Sequence, residues 1–374
     1  MIHKLDNSIA LVIFALILIG CGGNSGSDGG TSISTDLTPG NNGRYYGGVF
    51  NVNEEAYFKT LYPHNMTEVV GHRIIMNIYE GLTEFNQADL SVEPCLAENI
   101  DISEDGKTYT FQLRKGIMFH DHEVFPEGKG REMTAHDFKY CFDRLCTPDG
   151  SNQGFWLFNG VVVGAEEHYN AANDGNAPSG GVSGVRVLDD HTLEIELIEP
   201  NSVFLSRLAM GQTAVFPKEA YDKYGIEMRV NAVGTGPYVL KTVKENQAVL
   251  MIKNPNYWGS DEHGNQLPFM DAINVSFIND KKSELLEFKL GNHDLMYRLP
   301  FEMIDQVVVN GELLDDYKQF QLQQKNVLSL QYYGFLHQGE LFDDINLRKA
   351  FNYAIDREKL CNFTLKGAGA PAIY

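Results

Sequence analysis

The chain has 374 residues, of which 43% are hydrophobic and 11% aromatic, so it is long enough to bury a substantial core in two or three domains. Its 50 acidic residues exceed its 30 basic residues and give a formal net charge of −20. A surface of that sign repels phosphate backbones and anionic lipid headgroups, which argues against nucleic acid as a partner and against electrostatic docking on a membrane.

An apolar run near the start of the chain indicates export. Residues 9–19 form the only long apolar stretch, and at 11 residues it is too short for a membrane-spanning helix, which needs about 20. Preceded by Lys4, it fits the hydrophobic region of a secretory signal peptide that covers residues 1–20. We therefore expect the mature protein to lie outside the cytoplasm.

A single cysteine stands where the signal peptide ends. Residues 18–21, LIGC, resemble the bacterial lipobox, which implies cleavage before Cys21 and acyl chains on this cysteine as a membrane anchor. The alternative is an ordinary signal peptide with an incidental cysteine. The following residues, 22–43, are rich in glycine, serine and asparagine, so residues 21–46 are expected to form a flexible tether.

The remaining cysteines give no disulfide framework. An exported protein can form disulfides, but Cys141 and Cys146 are five residues apart on a predicted helix, an offset that points their side chains apart. We expect mostly buried free thiols, with one disulfide as the alternative, among Cys95, Cys141, Cys146 and Cys361.

Three segments, 107–116, 191–200 and 271–278, alternate apolar and polar residues, which predicts half-buried strands. Their apolar faces are Tyr109, Phe111 and Leu113, then Leu193, Ile195 and Leu197, and finally Ile273, Val275 and Phe277.

Two amphipathic helices are predicted between and after these strands. Thr134, followed three residues later by Asp137, forms an acidic variant of the capping box. It precedes an apolar stripe of Phe138, Cys141, Phe142 and Leu145. Near the end of the chain, a second stripe consists of Leu347, Ala350, Phe351, Ala354 and Ile355. The fold class is therefore mixed α/β.

An ordered set of motifs covers nearly all of residues 47–374. The motifs are LYPHN (61–65), YEGL (79–82), the 96–121 and 133–145 segments, VLDDHTLEIELIEPNSVFLSRLA (187–209), VGTGPYVLKTV (233–243), IKNPNYW (252–258) and LFDDINLRKAFNYAIDREKL (341–360). In this order they resemble the extracytoplasmic solute-binding proteins of family 5, which are the peptide-, dipeptide- and nickel-binding components of bacterial ABC importers.

The resemblance implies an α/β, two-lobed periplasmic-binding-protein fold of the class II type. The first lobe would cover residues 47–278, with an extra α/β subdomain at roughly 80–185, and the second lobe would begin at residue 279. Family members run substantially beyond residue 374, so the second lobe is expected to be incomplete, through truncation, a broken gene or a shortened chain. The absent part would hold the acidic residue that pairs with a peptide α-ammonium group.

The implied function is capture of di- or oligopeptides in the cleft between the lobes and delivery to the membrane permease, with closure of the lobes over the ligand. The implied partners are a peptide or another small solute, the ABC permease subunits and the membrane through the lipid anchor; the protein is expected to be a monomer without a cofactor. Open alternatives are a nickel-chelate, haem or oligosaccharide ligand, or a role as an adhesin or sensor partner. No Gly-x-Ser-x-Gly, His-Glu-x-x-His or P-loop motif supports an enzyme.

Candidate ligand contacts follow from matching the family's contact regions position by position. They are Thr67, Glu68 and Val69 after LYPHN, Phe155 and Trp156 after the 134–145 helix, Tyr297 and Arg298 after GNHD, and Tyr333 and Phe335 in LQYYGF. Core packing is the alternative for each aromatic residue. Arg298 could receive a ligand carboxylate bidentately, with a surface salt bridge as the alternative.

Other motifs have structural interpretations. GTGPY (234–238) lacks the Lys-Ser/Thr ending of a phosphate loop and predicts a turn that opens a strand. YEGL and AIDREKL indicate core and capping positions. The histidines of HDH (120–122), with His136 nearby, are expected to be solvated rather than metal ligands. The inserted residues 123–132 should lengthen a surface loop.

Overall fold

The computed structural model describes residues 37–325, 327, 329–337 and 340–372. The predicted signal peptide, Cys21 and the tether up to residue 36 lie outside them. Within the described ranges, no helix has the length and apolar character needed to cross a membrane.

The strands, in chain order, are β1 (Thr38–Pro39), β2 (Tyr45–Tyr46), β3 (Val49–Glu54), β4 (Thr83–Phe85), β5 (Val92–Pro94), β6 (Ala97–Ile102), β7 (Thr108–Leu113), β8 (Val185–Asp189), β9 (Thr192–Glu196), β10 (Tyr238–Lys244), β11 (Ala248–Lys253), β12 (Ala272–Phe277), β13 (Val308–Val309) and β14 (Glu312–Leu313). The α-helices are α1 (Val69–Ile75), α2 (Ala135–Leu145), α3 (Ala165–Asn173), α4 (Phe204–Leu208), α5 (Lys218–Tyr224), α6 (Lys281–Lys289), α7 (Ile304–Val307), α8 (Glu340–Asp343), α9 (Ile345–Ala354) and α10 (Arg357–Lys359).

One four-stranded sheet has the order β10-β11-β12-β3. Its first three strands are antiparallel neighbours, whereas β3 pairs in parallel with β12, from Val49 opposite Ala272 to Glu54 opposite Phe277. Parallel pairing requires a long crossover, and here the crossover contains the whole segment between residues 54 and 272. The carboxyl ends of β3 and β12 therefore lie side by side, and α6 follows directly after β12.

The second four-stranded sheet has the order β6-β7-β9-β8 and is antiparallel throughout. It confirms two of the predicted strands: Phe111 of β7 pairs with Leu193 of β9, and both side chains are buried. Helix α2 packs against β8 and β9. Its apolar stripe of Phe138, Cys141, Phe142 and Leu145 is fully buried, as predicted. The third predicted strand is β12, where Val275 is buried and Ile273 and Phe277 are half-buried.

The predicted capping box at the start of α2 is confirmed and enlarged. The Asp137 carboxylate accepts a hydrogen bond from the Thr134 backbone N–H at 2.9 Å, and it also pairs with Arg131 at 2.7 Å. Arg131 reaches Glu219 of α5 at 2.7 Å, so this single side chain ties the two helices together.

The four cysteines after residue 36 are buried free thiols, as expected. One loop differs from the predictions. Residues 38–46, assigned above to the tether, form the β1–β2 pair, and Asn41 donates its backbone N–H to Asn265 at 2.6 Å. The inserted segment 123–132 is exposed or half-buried, as expected of a surface loop, except that Phe125 is buried.

The last part of the chain carries exposed apolar side chains. A small cluster of buried residues consists of Leu285, Met303, Val307 and Tyr317. The second predicted helix forms as α9, but its stripe is not buried: Ala350, Phe351 and Ala354 are exposed, and Leu347 and Ile355 are half-buried. This segment connects to the residues before it through an ion pair between Lys366 and Asp305 at 2.8 Å.

Candidate functional site

Helix α1 lies between two of the predicted groups of ligand contacts. Gly71, Ile74 and Ile75 form its buried face. Val69 and Arg73, four residues apart, share another side of the helix and are separated along the axis by roughly 6 Å. The first predicted group lies at the amino end of α1, and Tyr297 contacts the helix through Arg73.

At the amino end of α1, Thr67 is exposed, Glu68 is half-buried and Val69 is 63% exposed. The Glu68 carboxylate accepts a hydrogen bond from the Lys59 backbone N–H, which fixes the turn into the helix. The carbonyl of Met66, just before this turn, accepts a hydrogen bond from Gln212 Nε2 at 2.7 Å. The loop that leads into α1 is therefore held by buried neighbours, while Thr67 and Val69 face outward.

The loop that carries Phe155 and Trp156 is attached to the same region through His64. The Gln153 backbone N–H donates to the His64 carbonyl at 2.8 Å. Trp156 is 52% exposed, whereas the Phe155 ring stacks on Tyr169 with ring centroids 4.0 Å apart. The indole of Trp156 is thus accessible, with the Arg207 guanidinium carbon 5.8 Å from the ring centre, whereas Phe155 has a packing role.

His64 supports both loops as a neutral, buried side chain. Its Nδ1 lies 3.1 Å from the hydroxyl of Tyr62, and the residue has no exposed surface. Burial, with a smaller contribution from the positive charge of Arg144, lowers the pKa of His64 to about 3. The imidazole therefore stays uncharged down to acidic pH and packs edge-on against Phe216, with ring centroids 5.0 Å apart.

At the other end of α1, Arg73 joins Glu54 to Tyr297. Arg73 Nη1 donates to both Glu54 oxygens, at 2.8 and 2.9 Å, and its guanidinium carbon lies 4.0 Å from the centre of the Tyr297 ring. Glu54 is the last residue of β3, so the contact forms where β3 and β12 end. Sequence reasoning missed Arg73 because an arginine on a short amphipathic helix gives no sign of its partners.

Arg298 is the most accessible cation of this group. It is exposed, and its backbone has φ of 60°, a left-handed conformation that is uncommon outside glycine. Its guanidinium carbon lies 5.2 Å from the centre of the Tyr297 ring. None of the described carboxylates lies within 4.0 Å of its guanidinium nitrogens, so the salt-bridge alternative is not realised among them.

Tyr333 and Phe335 lie in the segment before α8. Tyr333 is 80% exposed, and Phe335 packs on Phe342 and Phe351 with ring centroids 5.0 and 5.6 Å apart. The structure thus places Phe335 in an aromatic cluster with Phe342 and Phe351 and leaves the Tyr333 side chain exposed.

Glu80 of YEGL is buried, which agrees with the core position predicted for this motif, but its hydrogen-bond partners were not predicted. Its Oε2 accepts a hydrogen bond from Thr235 Oγ1 at 2.7 Å, and its Oε1 accepts from the Tyr257 hydroxyl and from Trp258 Nε1, both at 3.0 Å. Burial raises the pKa of Glu80 to about 7, although all three hydrogen bonds act to lower it. The carboxyl group thereby connects the YEGL, GTGPY and NPNYW motifs.

His120 corrects the expectation of solvated histidines, because it is 2% exposed and structural. Its Nδ1 accepts from the Gly234 backbone N–H at 3.4 Å, so Nε2 carries the proton and donates to the Gly236 carbonyl at 2.8 Å. Burial lowers the pKa of His120 to about 4. The turn of GTGPY, followed by β10, is thus held by a neutral imidazole. The part of the chain that the structure describes contains no group of three or more potential metal ligands.

Three kinds of exposed group occur among the predicted ligand contacts. The outward loop at Thr67–Val69 exposes polar and apolar groups, Trp156 presents an indole, and Arg298 presents an exposed guanidinium. A guanidinium binds planar carboxylates, and an indole covers apolar groups. This set of groups fits a small solute that has both a carboxylate and apolar parts.

Comparison with known proteins identifies the family of the chain. The sequence model described as "Bacterial extracellular solute-binding proteins, family 5 Middle" matches residues 91–374. The chain is 28% identical to the oligopeptide-binding protein OppA of Bacillus subtilis, with 97% of this chain and 61% of that protein covered. It is 27% identical to the glutathione-binding protein GsiB of Salmonella choleraesuis (84% and 53% covered) and 29% identical to heme-binding protein A of Haemophilus influenzae (79% and 50%). The chain thus spans between half and about three fifths of the length of these relatives.

Solved structures have the same fold. The periplasmic binding protein DppA from Helicobacter pylori, in complex with the peptide STSA, matches with a TM-score of 0.66 at 22% identity, over 86% of this chain and 59% of that chain. A periplasmic oligopeptide-binding protein from Borrelia burgdorferi matches with a TM-score of 0.69 at 24% identity, over 85% and 59%. These matches confirm the predicted α/β fold of the two-lobed periplasmic binding proteins.

Proposed function

Because the chain belongs to family 5 of the bacterial extracellular solute-binding proteins, we propose that it captures di- or oligopeptides and delivers them to the permease of an ABC importer. The observation that carries the proposal is the arrangement around α1: the Thr67–Val69 loop lies at its amino end, and Tyr297, next to Arg298, contacts the helix through Arg73. The loop that carries the exposed Trp156 is bonded to His64, which precedes this helix. Relatives named for oligopeptides, dipeptides and glutathione support a peptide ligand.

The proposed site binds a peptide through its backbone and one of its ends. The outward loop at Thr67–Val69 supplies main-chain and polar contacts to an extended ligand. Trp156 covers an apolar part of the ligand, and Arg298 receives its carboxylate. Tyr333 and Phe335 join the site only if the lobes rearrange when the ligand binds, since in this structure Phe335 packs on Phe342 and the Tyr333 side chain is exposed.

The proposal includes two lobes with the boundaries predicted above. The β10-β11-β12-β3 sheet falls within the first lobe, residues 47–278. In the β6-β7-β9-β8 sheet, β6 and β7 fall within the extra subdomain at roughly 80–185, whereas β9 and most of β8 follow its predicted end. The second lobe begins at residue 279, and α6 is its first helix. The contacts of Tyr297 with Arg73 and of Lys281 with Glu55, at 2.7 Å, support a junction at the ends of β3 and β12.

The proposed protein is tethered to a bacterial membrane through Cys21. Cleavage at the LIGC sequence and acylation of this cysteine would keep the receptor outside the cytoplasm and near its permease. In cells fed with labelled palmitate, the wild-type chain should acquire label and sediment with membranes. Cys21→Ser should do neither, while the matched variant Cys361→Ser should behave as wild type. Label on Cys21→Ser would refute the anchor.

The ligand class is tested by native mass spectrometry of the 374-residue chain purified from its host, followed by titration with trialanine and trialanine amide. Co-purified peptides and a preference for the free acid are expected, and Arg298→Gln should remove that preference. The second candidate is a haem ligand, because one relative is named heme-binding protein A. A haem absorbance band on the purified protein would favour this candidate. A bound metal chelate or sugar would likewise contradict a peptide ligand.

A further inference from the structure

Arg73 contacts two groups that the sequence did not connect. Its guanidinium donates to both oxygens of Glu54 and stacks on the Tyr297 ring at 4.0 Å. The Glu54 side chain is 10% exposed, so it is held in one place by its position at the end of β3. Arg73 therefore links the Tyr297 ring to Glu54 of the sheet, although Tyr297 lies more than 200 residues further along the chain.

Tyr297 is also held at its main chain. Lys281 Nζ donates to the Tyr297 carbonyl at 3.4 Å and bonds to Glu55 and Glu284, each at 2.7 Å. Burial by itself would lower the pKa of Lys281, but these carboxylates raise it, so the ammonium group stays charged. The ring of Tyr297 is thus oriented by Arg73, and its backbone is fixed by Lys281.

The neighbouring Arg298 has fewer constraints. Its backbone is left-handed, with φ of 60°, and its guanidinium carbon lies 5.2 Å from the Tyr297 centroid. Among the residues that the structure describes, the Arg298 guanidinium forms a cation–π contact with this ring and no ion pair. The direction in which Arg298 faces a ligand consequently depends on where the Tyr297 ring is held.

We propose that Arg73 is a positioning residue of the ligand site: by holding the Tyr297 ring, it sets the direction in which Arg298 meets a ligand carboxylate. The inference rests on the proposed function, because it assigns Arg73 to the recognition of the same carboxylate. It predicts that Arg73 contributes to selectivity for a free carboxylate without contacting the ligand itself.

A double-mutant cycle between Arg73→Met and Arg298→Gln tests this coupling. Since Arg73→Met alone would leave the Glu54 carboxylate nearly buried and unpaired, the cycle is run in a Glu54→Gln background. The readout is the ratio of dissociation constants for trialanine amide and trialanine, measured by calorimetry. A charge-assisted contact to the carboxylate should give a ratio of roughly 10 to 100 in the background protein.

Arg298→Gln should bring this ratio to about 1, and Arg73→Met should lower it more than about threefold. The double variant should show no loss beyond that of Arg298→Gln, because both changes remove the same interaction. A merely structural Arg73 would weaken both peptides equally and leave the ratio unchanged, which would overturn the proposal. Arg186→Met is the matched control, since Arg186 also pairs with two glutamates, at 2.8 and 2.7 Å, on the β8–β9 surface.

Hydrogen exchange of the ligand-free protein separates this inference from the proposed function. Arg73→Met in the Glu54→Gln background should accelerate backbone exchange of residues 293–300 more than about fivefold, with exchange in α2 unchanged. If wild type binds trialanine and trialanine amide equally well, the proposed carboxylate contact of Arg298 is refuted. The hydrogen-exchange rates of residues 293–300 still test whether Arg73 positions Tyr297. Unchanged exchange in residues 293–300 would contradict the positioning role.

Discussion

Trp258 donates its indole N–H to the carboxylate of Glu80, at 3.0 Å from one oxygen and 3.3 Å from the other. The two residues are 178 positions apart in the sequence and belong to two different motifs of the family. Arg114 lies over the same indole, with its guanidinium carbon 4.4 Å from the ring, and donates Nε–H to the Cys95 carbonyl. The family motifs at this junction are thus connected by one buried acid.

Glu80→Gln should change how stability depends on pH. Between the ordinary carboxyl pKa of 4.5 and about 7, folded Glu80 holds a proton that the unfolded chain has released, so the folded protein loses stability as pH rises through this window. The substituted glutamine cannot ionise, and its amide can still bond to Thr235, Tyr257 and Trp258. The difference in unfolding free energy between wild type and variant should shift in favour of the variant by about 3 kcal/mol over the window.

Urea denaturation followed by circular dichroism at several pH values measures this difference. The lowered pKa values of His64 and His120 destabilise the protein as pH falls below the ordinary histidine value of 6.5, but they act in both proteins and cancel. Glu104→Gln, at an exposed turn position, should keep the wild-type profile. A constant difference between wild type and Glu80→Gln would mean that Glu80 is ionised in the folded protein throughout.

Local patterns predicted the strands β7 and β9 and the helix α2, because the alternation of Phe111 and its neighbours and the capping box at Thr134 depend on residues close in sequence. The Glu80 network and the Arg73–Tyr297 contact were not predicted, since each depends on a tertiary fold that brings distant residues together. His120 was misjudged for the same reason: its burial depends on the turn at Gly234, 114 residues later.

Gly234→Ala should destabilise the protein strongly. A Cβ atom at this position would lie 2.1 Å from the Ile78 carbonyl oxygen, a backbone atom that cannot move away as a flexible side chain would. Movement of residue 234 away from Ile78 would also weaken the hydrogen bonds between the 234–236 turn and His120. We expect a loss of about 3 kcal/mol in unfolding free energy, measured by urea denaturation.

Gly180→Ala is the matched control for this change. An added Cβ there meets no atom within 4 Å, so the substitution should alter stability by less than about 0.5 kcal/mol. Equal stability of the two variants would show that the approach of residue 234 to Ile78 is looser than the structure has it.

Asp137→Asn should destabilise the α2–α5 contact. Asp137 is 4% exposed and accepts two hydrogen bonds from Arg131, so its neutralisation leaves the arginine with Glu219 alone. Arg131 is partly solvated and keeps one partner, so the expected loss is about 2 kcal/mol, less than for a fully buried pair. The midpoint temperature of thermal unfolding should therefore be lower for Asp137→Asn than for wild type. Glu194→Gln, which weakens the exposed Arg186 pair, should cost less than about 0.5 kcal/mol. Similar losses in both variants would contradict the special role of the buried pair.

Trp156 should report ligand binding by its fluorescence. The chain has two tryptophans: Trp156 is 52% exposed at the proposed site, and Trp258 is half-buried against Glu80. A ligand that covers the Trp156 indole removes water from it, so trialanine, which has no chromophore of its own in this range, should shift the emission to shorter wavelength. Trp156→Phe should abolish the shift, and Trp258→Phe should retain it. A ligand-induced shift that persists in Trp156→Phe and disappears in Trp258→Phe would place the ligand away from α1 and overturn the assignment of Trp156.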